Sequence, residues 1–245
     1  MADISDGIRF IEGSENILVI APHGPFIDGA YQNDLRTGII AEEIQRRLKC
    51  TAIINDRFFK PKGPIKKDAA NYFLDVFRID HAGKVPGYLD GIRDVVDIPG
   101  KTTVLWVHGI ADDVAFRQAE EHISQGLFSR NPAALHALIG FGQGKDPKKG
   151  DPKDRLSAQI QTVEKFRDAL TCNGMTTLLT HPEAPNFRGR DEKRLNQWFN
   201  HLGYGVDRVE SIQLEIREKG FRDSKENASK TAGIIAKALL KAALL

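Results

Sequence analysis

Short continuous apolar runs alternate along this chain with longer stretches in which apolar residues recur every three or four positions. Ile17–Ala21, Thr51–Asn55, Thr102–Val107, Leu135–Phe141, Met175–Thr180 and Ser211–Ile216 read as strands, the Ile17 and Thr102 runs as buried ones. Asp34–Lys49 has helical spacing, with Leu35, Ile39, Ile40, Ile44 and Leu48 apolar. Ser157–Thr171 repeats the pattern through Ile160, Val163, Phe166 and Leu170. Tyr88–Val96 predicts a short helix closed by Pro99-Gly100, and Asp191–Leu202 and Asp223–Leu244 predict two more. Strands separated by helices of about ten or more residues predict a three-layer α/β domain: a mostly parallel, mixed sheet with helices on both faces. No repeat or linker divides residues 1–245, so one domain is expected. Pro61–Asp68 and Gly142–Lys153 read as loops able to border a site.

Composition narrows the function classes. The chain is 41% hydrophobic and 28% charged with a formal net charge of +2, the balance of an ordinary globular protein. Acids and bases are interleaved, which gives no basic face for nucleic acid. The basic run Lys145–Lys153 is broken by acids, glycine and prolines and reads as a solvated loop. No apolar stretch has the length of a membrane span. Two cysteines, Cys50 and Cys172, form no disulfide framework, and the acidic N-terminus lacks the order of a signal peptide. A cytoplasmic protein is expected.

The candidate chemistry lies at the carboxyl ends of strands, where open α/β sheets hold their sites. The first strand runs into Pro22-His23-Gly24 and the third into Val107-His108-Gly109. Two strand-end histidines can converge at one sheet edge, and imidazole with carboxylate suits a catalytic zinc that keeps one open position. Asp34, at the start of the first long helix, and Asp28, in the preceding loop, are alternative third ligands. Asp34 also fits a helix N-cap. Motifs of serine hydrolases, phosphate loops and HExxH metalloproteases are absent.

A family resemblance adds to this. Ala21-Pro22-His23-Gly24, Asn33-Asp34, Leu74-Asp75-Val76-Phe77-Arg78, Val107-His108-Gly109, Asn186-Phe187-Arg188-Gly189-Arg190 and Ser211-Ile-Gln-Leu-Glu-Ile216 resemble, in order, the motifs of N-formylglutamate amidohydrolases. The opening is similar to that of phage-type poly-γ-glutamate hydrolases, and both groups are zinc carboxypeptidase-like. The resemblance implies one zinc ion per chain on His23, Asp34 (or Asp28) and His108. It implies Glu215 as general base and acid, and Arg78 and Arg188 as binders of a substrate carboxylate. Three positions depart from the family pattern: Gly24 and Pro25 replace its serine, Phe77 its asparagine, and Arg190 its second glycine. They put the identity of the substrate in question.

Glu215 alternates with Ile212, Leu214 and Ile216, so it lies on the opposite strand face, towards solvent or a cleft, with Arg217 or Arg222 as structural partners. Asp75 or Asp80 is the structural partner for Arg78. The expected activity is hydrolysis of an N-acyl amino acid such as N-formylglutamate. The alternatives are a zinc peptidase acting on peptides or γ-glutamyl chains, and a binding protein on a degenerate hydrolase fold. The expected partner is a small molecule or peptide carrying a carboxylate.

Overall fold

The structure is a computed structural model that describes residues 7–23, 34–59, 74–144, 155–184 and 186–243. Its strands are β1 (Ile8–Ile11), β2 (Glu15–Ala21), β3 (Cys50–Asn55), β4 (Thr102–Ile110), β5 (Ala137–Gly140), β6 (Thr177–Leu179) and β7 (Val209–Arg217). They form one seven-stranded sheet in the order β1-β3-β2-β4-β7-β5-β6. β3, β2, β4 and β7 run parallel, whereas β1 is antiparallel to β3 and β5 is antiparallel to β7. The expected mixed, mostly parallel sheet is therefore present.

The helices are α1 (Thr37–Leu48), α2 (Ile79–Ala82), α3 (Tyr88–Val96), α4 (Asp112–Ser124), α5 (Ile160–Cys172), α6 (Trp198–His201) and α7 (Lys225–Ala243). One face of the sheet, with Val19, Leu105, Val107, Ile212, Leu214 and Ile216, packs against α1, α5 and α7. α1 buries Ile40, Ala41, Ile44 and Leu48, spaced to form one stripe. α7 presents Ala228, Ala232, Ala236 and Ala238 among its buried residues, small side chains that let helices approach closely. The other face, with Leu18, Ile20, Val104 and Trp106, packs on α3 and on Leu195, Trp198 and Phe199. Each fully buried aliphatic stabilises the fold by roughly 1.5–3 kcal/mol, so both faces contribute heavily. None of the described helices is long and apolar enough to cross a membrane.

Four segments differ from the expectation, among them the single turn α2, and β4 runs past Val107 through His108 to Ile110. β1 and α4 are not legible in the sequence: β1 is a four-residue edge strand, and α4 buries only Ala115, Ala119 and His122, too sparse a set for a clear stripe. Asp191–Leu202 is not one helix. It holds a 3-10 turn at Leu195–Gln197 followed by α6. The Asp191 side chain accepts from the Lys193 N–H, and Lys193–Leu195 then runs beside Phe77–Ile79, with Ile79 N donating to Lys193 O (2.9 Å) and Leu195 N to Phe77 O (2.9 Å). Backbone pairing there takes the bonds that a helix would need. The basic run and the Pro61–Asp68 loop lie outside the described residues.

The Phe187-Arg188-Gly189 turn presses on the end of β5. A Cβ on Gly140 would lie 2.0 Å from the Phe187 carbonyl oxygen, and Gly142 N donates to Arg188 O at 2.6 Å. Gly140 is paired with Gln213 of β7, so the turn is held over the Gln213 face of the sheet. Gly140→Ala is therefore expected to cost about 2–4 kcal/mol in urea unfolding, because backbone must move to admit the methyl group. An unchanged midpoint would show that the turn is not packed in this way.

Candidate metal centre

β2 ends at Ala21, and the next two residues deliver His23 to the sheet edge. Asn55, buried at the end of β3, donates to the Pro22 carbonyl at 2.7 Å. The Thr37 hydroxyl lies 3.1 Å from the His23 carbonyl and 2.9 Å from the Asp34 carbonyl, so it ties the two segments. Asp34 precedes α1 by a turn whose Arg36 is left-handed (φ 66°). Its side chain does not cap the helix but points to histidine.

His108 comes from β4 on the face of Val104 and Trp106. Asp34 Oδ2 lies 3.1 Å from His23 Nδ1 and 3.1 Å from His108 Nδ1. One ligand atom from each of these three buried residues lies within 4.8 Å of the others. His23 Nε2 donates to Asp75 Oδ1 at 2.8 Å. Asp75, also buried, takes the Arg194 guanidinium on Oδ2 and the Phe77 N–H on Oδ1. The His108 Nε2 is buried and has no hydrogen-bond partner among the described residues.

This donor set fits a divalent metal. Two imidazoles and one carboxylate are the ligand types of zinc peptidases, and a carboxylate behind a ligating histidine is the usual support for its orientation. Without a metal, both nitrogens of His23 face carboxylates. Burial opposes charge on the ring, but Asp34 and Asp75 outweigh it and raise the pKa from 6.5 to about 9. Burial likewise opposes the charge on Asp34, but His23 and His108 overcome it and hold its pKa well below the ordinary carboxylate range.

Glu215 is the register partner of His108 on the adjacent parallel strand, so both side chains project from the same face. It is buried, and Gln213 Nε2 donates to Glu215 Oε1 at 2.6 Å. Of the basic residues near it in sequence, Arg217 bonds Asp112 and the Ala133 carbonyl, and Arg222 bonds the carbonyls of Ile216, Leu35 and Ile110 while it feels the charge of Glu215. Arg78 grips Asp80 through Nε and Nη2, each at 3.0 Å, and keeps about a third of its side chain exposed (34%). Arg188 is buried in the turn over Gly140 and donates to the Pro182 carbonyl at 2.5 Å. Asp28 lies outside the described residues. His181 Nδ1 accepts from the Glu183 N–H, capping a turn, and His81 Nδ1 accepts from the Asp75 N–H.

Arg194 and Arg222 are not legible as site residues in the sequence, and Asp75 stands out only within a motif. The signal for Asp75 is an acid between Leu74 and Val76, both buried, where an unpartnered carboxylate is costly. For Asn55 it is an amide at the end of a buried strand.

No family model matches the sequence, and no curated protein matches it. Solved structures do match. The N-formylglutamate amidohydrolase from Ralstonia eutropha JMP134 is similar over 97% of this chain and 98% of its own, with 14% identity and a TM-score of 0.56. A gene product from Agrobacterium tumefaciens is similar over 97% and 95%, with 12% identity and a TM-score of 0.56. A metallo-carboxypeptidase from Burkholderia cenocepacia, of which this chain spans 60%, has 12% identity and a TM-score of 0.48. The first two likenesses establish a common α/β fold.

The charged centre has a pH signature in the metal-free protein. A raised His23 pKa means stabilisation that is fully present below 6.5 and lost as pH rises through about 9. The stability difference between the wild type and His23→Gln, measured by urea unfolding in chelator, is expected to fall by on the order of 3 kcal/mol over that window. Asp34 works in the opposite sense: its contribution is present above 3.8 and lost as pH falls through its depressed value. A difference that stays flat from pH 6 to about 10 would refute the ion cluster.

Proposed function

We propose that this protein is a zinc-dependent amidohydrolase that cleaves the amide of an N-acyl amino acid, with N-formylglutamate as the reference substrate. The observation that carries the reading is the convergence of His23 Nδ1 and His108 Nδ1 on one oxygen of Asp34, with Glu215 level with His108 on the next strand. The fold shared with an N-formylglutamate amidohydrolase supports it. His23, Asp34 and His108 would hold the ion. A zinc there supplies Lewis-acid activation of water and polarisation of a carbonyl.

The chain's own residues do the remaining work. Glu215, oriented by Gln213, takes a proton from the attacking water as the oxygen–carbon bond forms. It returns that proton to the leaving nitrogen as the carbon–nitrogen bond breaks, giving a carboxylic acid and an amine. Arg78 is the better placed of the two arginines for a substrate carboxylate. Its planar fork rests on an exposed Asp80, which an incoming carboxylate can replace. Arg188, buried against the Pro182 carbonyl, would shape the turn that borders the substrate.

Elemental mass spectrometry should find about one zinc per chain, lost in His108→Ala. Glu215→Gln should retain the zinc and lose about 10²–10⁴-fold in N-formylglutamate hydrolysis. A protein that takes up no zinc, or a Glu215→Gln variant as active as the wild type, would refute this reading.

A further inference from the structure

We infer that Arg194 is a positioning residue of the metal centre: by clamping Asp75 it holds the His23 ring with Nδ1 turned towards Asp34 and His108, and so sets the metal affinity. The inference rests on the zinc reading above and adds to it a residue that contacts neither ligand atoms nor substrate.

Asp75 has both oxygens committed. Oδ1 accepts from His23 Nε2 (2.8 Å) and from the Phe77 N–H (3.2 Å), and Oδ2 accepts from Arg194 Nη1. A carboxylate held at both oxygens has a fixed plane, and that plane fixes the ring of the histidine bonded to it. The Arg194 side chain is itself restrained. Its backbone pairs with that of Arg78, flanked by the Ile79–Lys193 and Leu195–Phe77 hydrogen bonds, which places residue 194 beside residue 75 despite their distance in sequence. The guanidinium carbon lies 5.9 Å from the centre of the Phe77 ring, and Nε is 3.5 Å from Asp191. Phe77 in turn packs edge-on to His108, with ring centres 4.4 Å apart. Arg194 thus braces one histidine through Asp75 and stands over the aromatic ring that walls the other.

Charge gives a second reason. When His23 serves as a metal ligand it is neutral. The buried Asp75 then needs a fixed cation nearby, and Arg194 supplies one at ion-pair distance. Lysine could supply the charge but not a planar, directional donor.

The test measures zinc affinity of the metal-free full-length protein by competition with a chromogenic chelator, for wild type, Arg194→Met, Arg194→Lys, Asp75→Asn and the Arg194→Met/Asp75→Asn double variant. Arg194→Met is expected to weaken zinc binding by about tenfold, with Arg194→Lys intermediate. In the Asp75→Asn background the same change should alter affinity by less than about twofold, because Arg194 acts through Asp75. The visible spectrum of the cobalt(II) form should shift in Arg194→Met and partly recover in Arg194→Lys, which a general loss of stability would not produce. Wild type that binds zinc beside an Arg194→Met protein that binds it equally tightly, or full additivity with Asp75→Asn, would overturn the role of Arg194 alone. Wild type that binds no zinc would overturn the metal reading and this inference with it.

Discussion

Arg222 is fully buried, and its guanidinium directs its described hydrogen bonds to three backbone carbonyls: Ile216 at 2.9 Å, Leu35 at 3.0 Å and Ile110 at 3.0 Å. Each carbonyl belongs to a residue one or two positions beyond a member of the site, namely Glu215, Asp34 and His108. The ends of two parallel strands and the approach to α1 are thereby fastened to one rigid plane. Burial lowers the pKa of Arg222, and the fields of Asp34, Glu218 and Glu215 oppose that loss of charge. A buried cation is tolerated only where hydrogen bonds and nearby anions offset its desolvation. The cation and the anionic site therefore support each other: the acids offset the desolvation of Arg222, and Arg222 keeps their backbone in register.

Strand register does the rest of the alignment. His108 pairs with Glu215, just as Trp106 pairs with Gln213, so one parallel ladder sets the imidazole and the carboxylate on one face. A slip of either strand by one residue would turn its member of the pair into the opposite core, among Val107, Leu214 and Ile216, and part the two. The polar bonds beneath the site oppose such a slip. Trp106 Nε1 donates to Ser211 Oγ (2.8 Å), which donates to Asn196 Oδ1 (3.0 Å), and Asn196 Nδ2 donates to the Gly189 carbonyl (2.8 Å). That chain joins β4 and β7 to the Arg188 turn.

How much of the molecule is legible in its sequence follows from how local each signal is. Buried parallel strands are continuous apolar runs, and polar residues that end or interrupt them stand out, so His23, His108 and Glu215 are visible in the sequence itself. Asp34 is legible as a position but not as a geometry, because helix cap and ligand look alike until the side chain is seen to face two imidazoles. Arg222 is legible only as a partner for Glu215, and Arg194 not at all, because Asp75, Leu35 and Ile110 lie far away in sequence and backbone carbonyls leave no residue-type signature. The segment from Asp191 to Leu202 misleads for the same reason. Its apolar spacing at Leu195, Trp198 and Phe199 is real, but long-range pairing with Phe77–Ile79 stops the helix from starting early.

Phe77 shapes one side of the candidate site. The ring packs against Trp106 (5.1 Å), His108 (4.4 Å) and, more distantly, His23 (6.2 Å), and it is buried. An aromatic wall there packs against both imidazoles, and its low polarity strengthens the charge interactions of His23, Asp34 and His108. It also offers no hydrogen bond to a substrate. Recognition of a polar group at this side of the site must then come from other side chains, and the arginines that flank Phe77 in space, Arg78 and Arg194, are both already held by carboxylates. Asp80 is exposed and displaceable, whereas Asp75 is buried and bound to His23. In the proposed hydrolase the two arginines would divide the work by the burial of their partners: Arg78 would exchange its anion for one on a substrate, and Arg194 would not without loosening His23 behind Asp75.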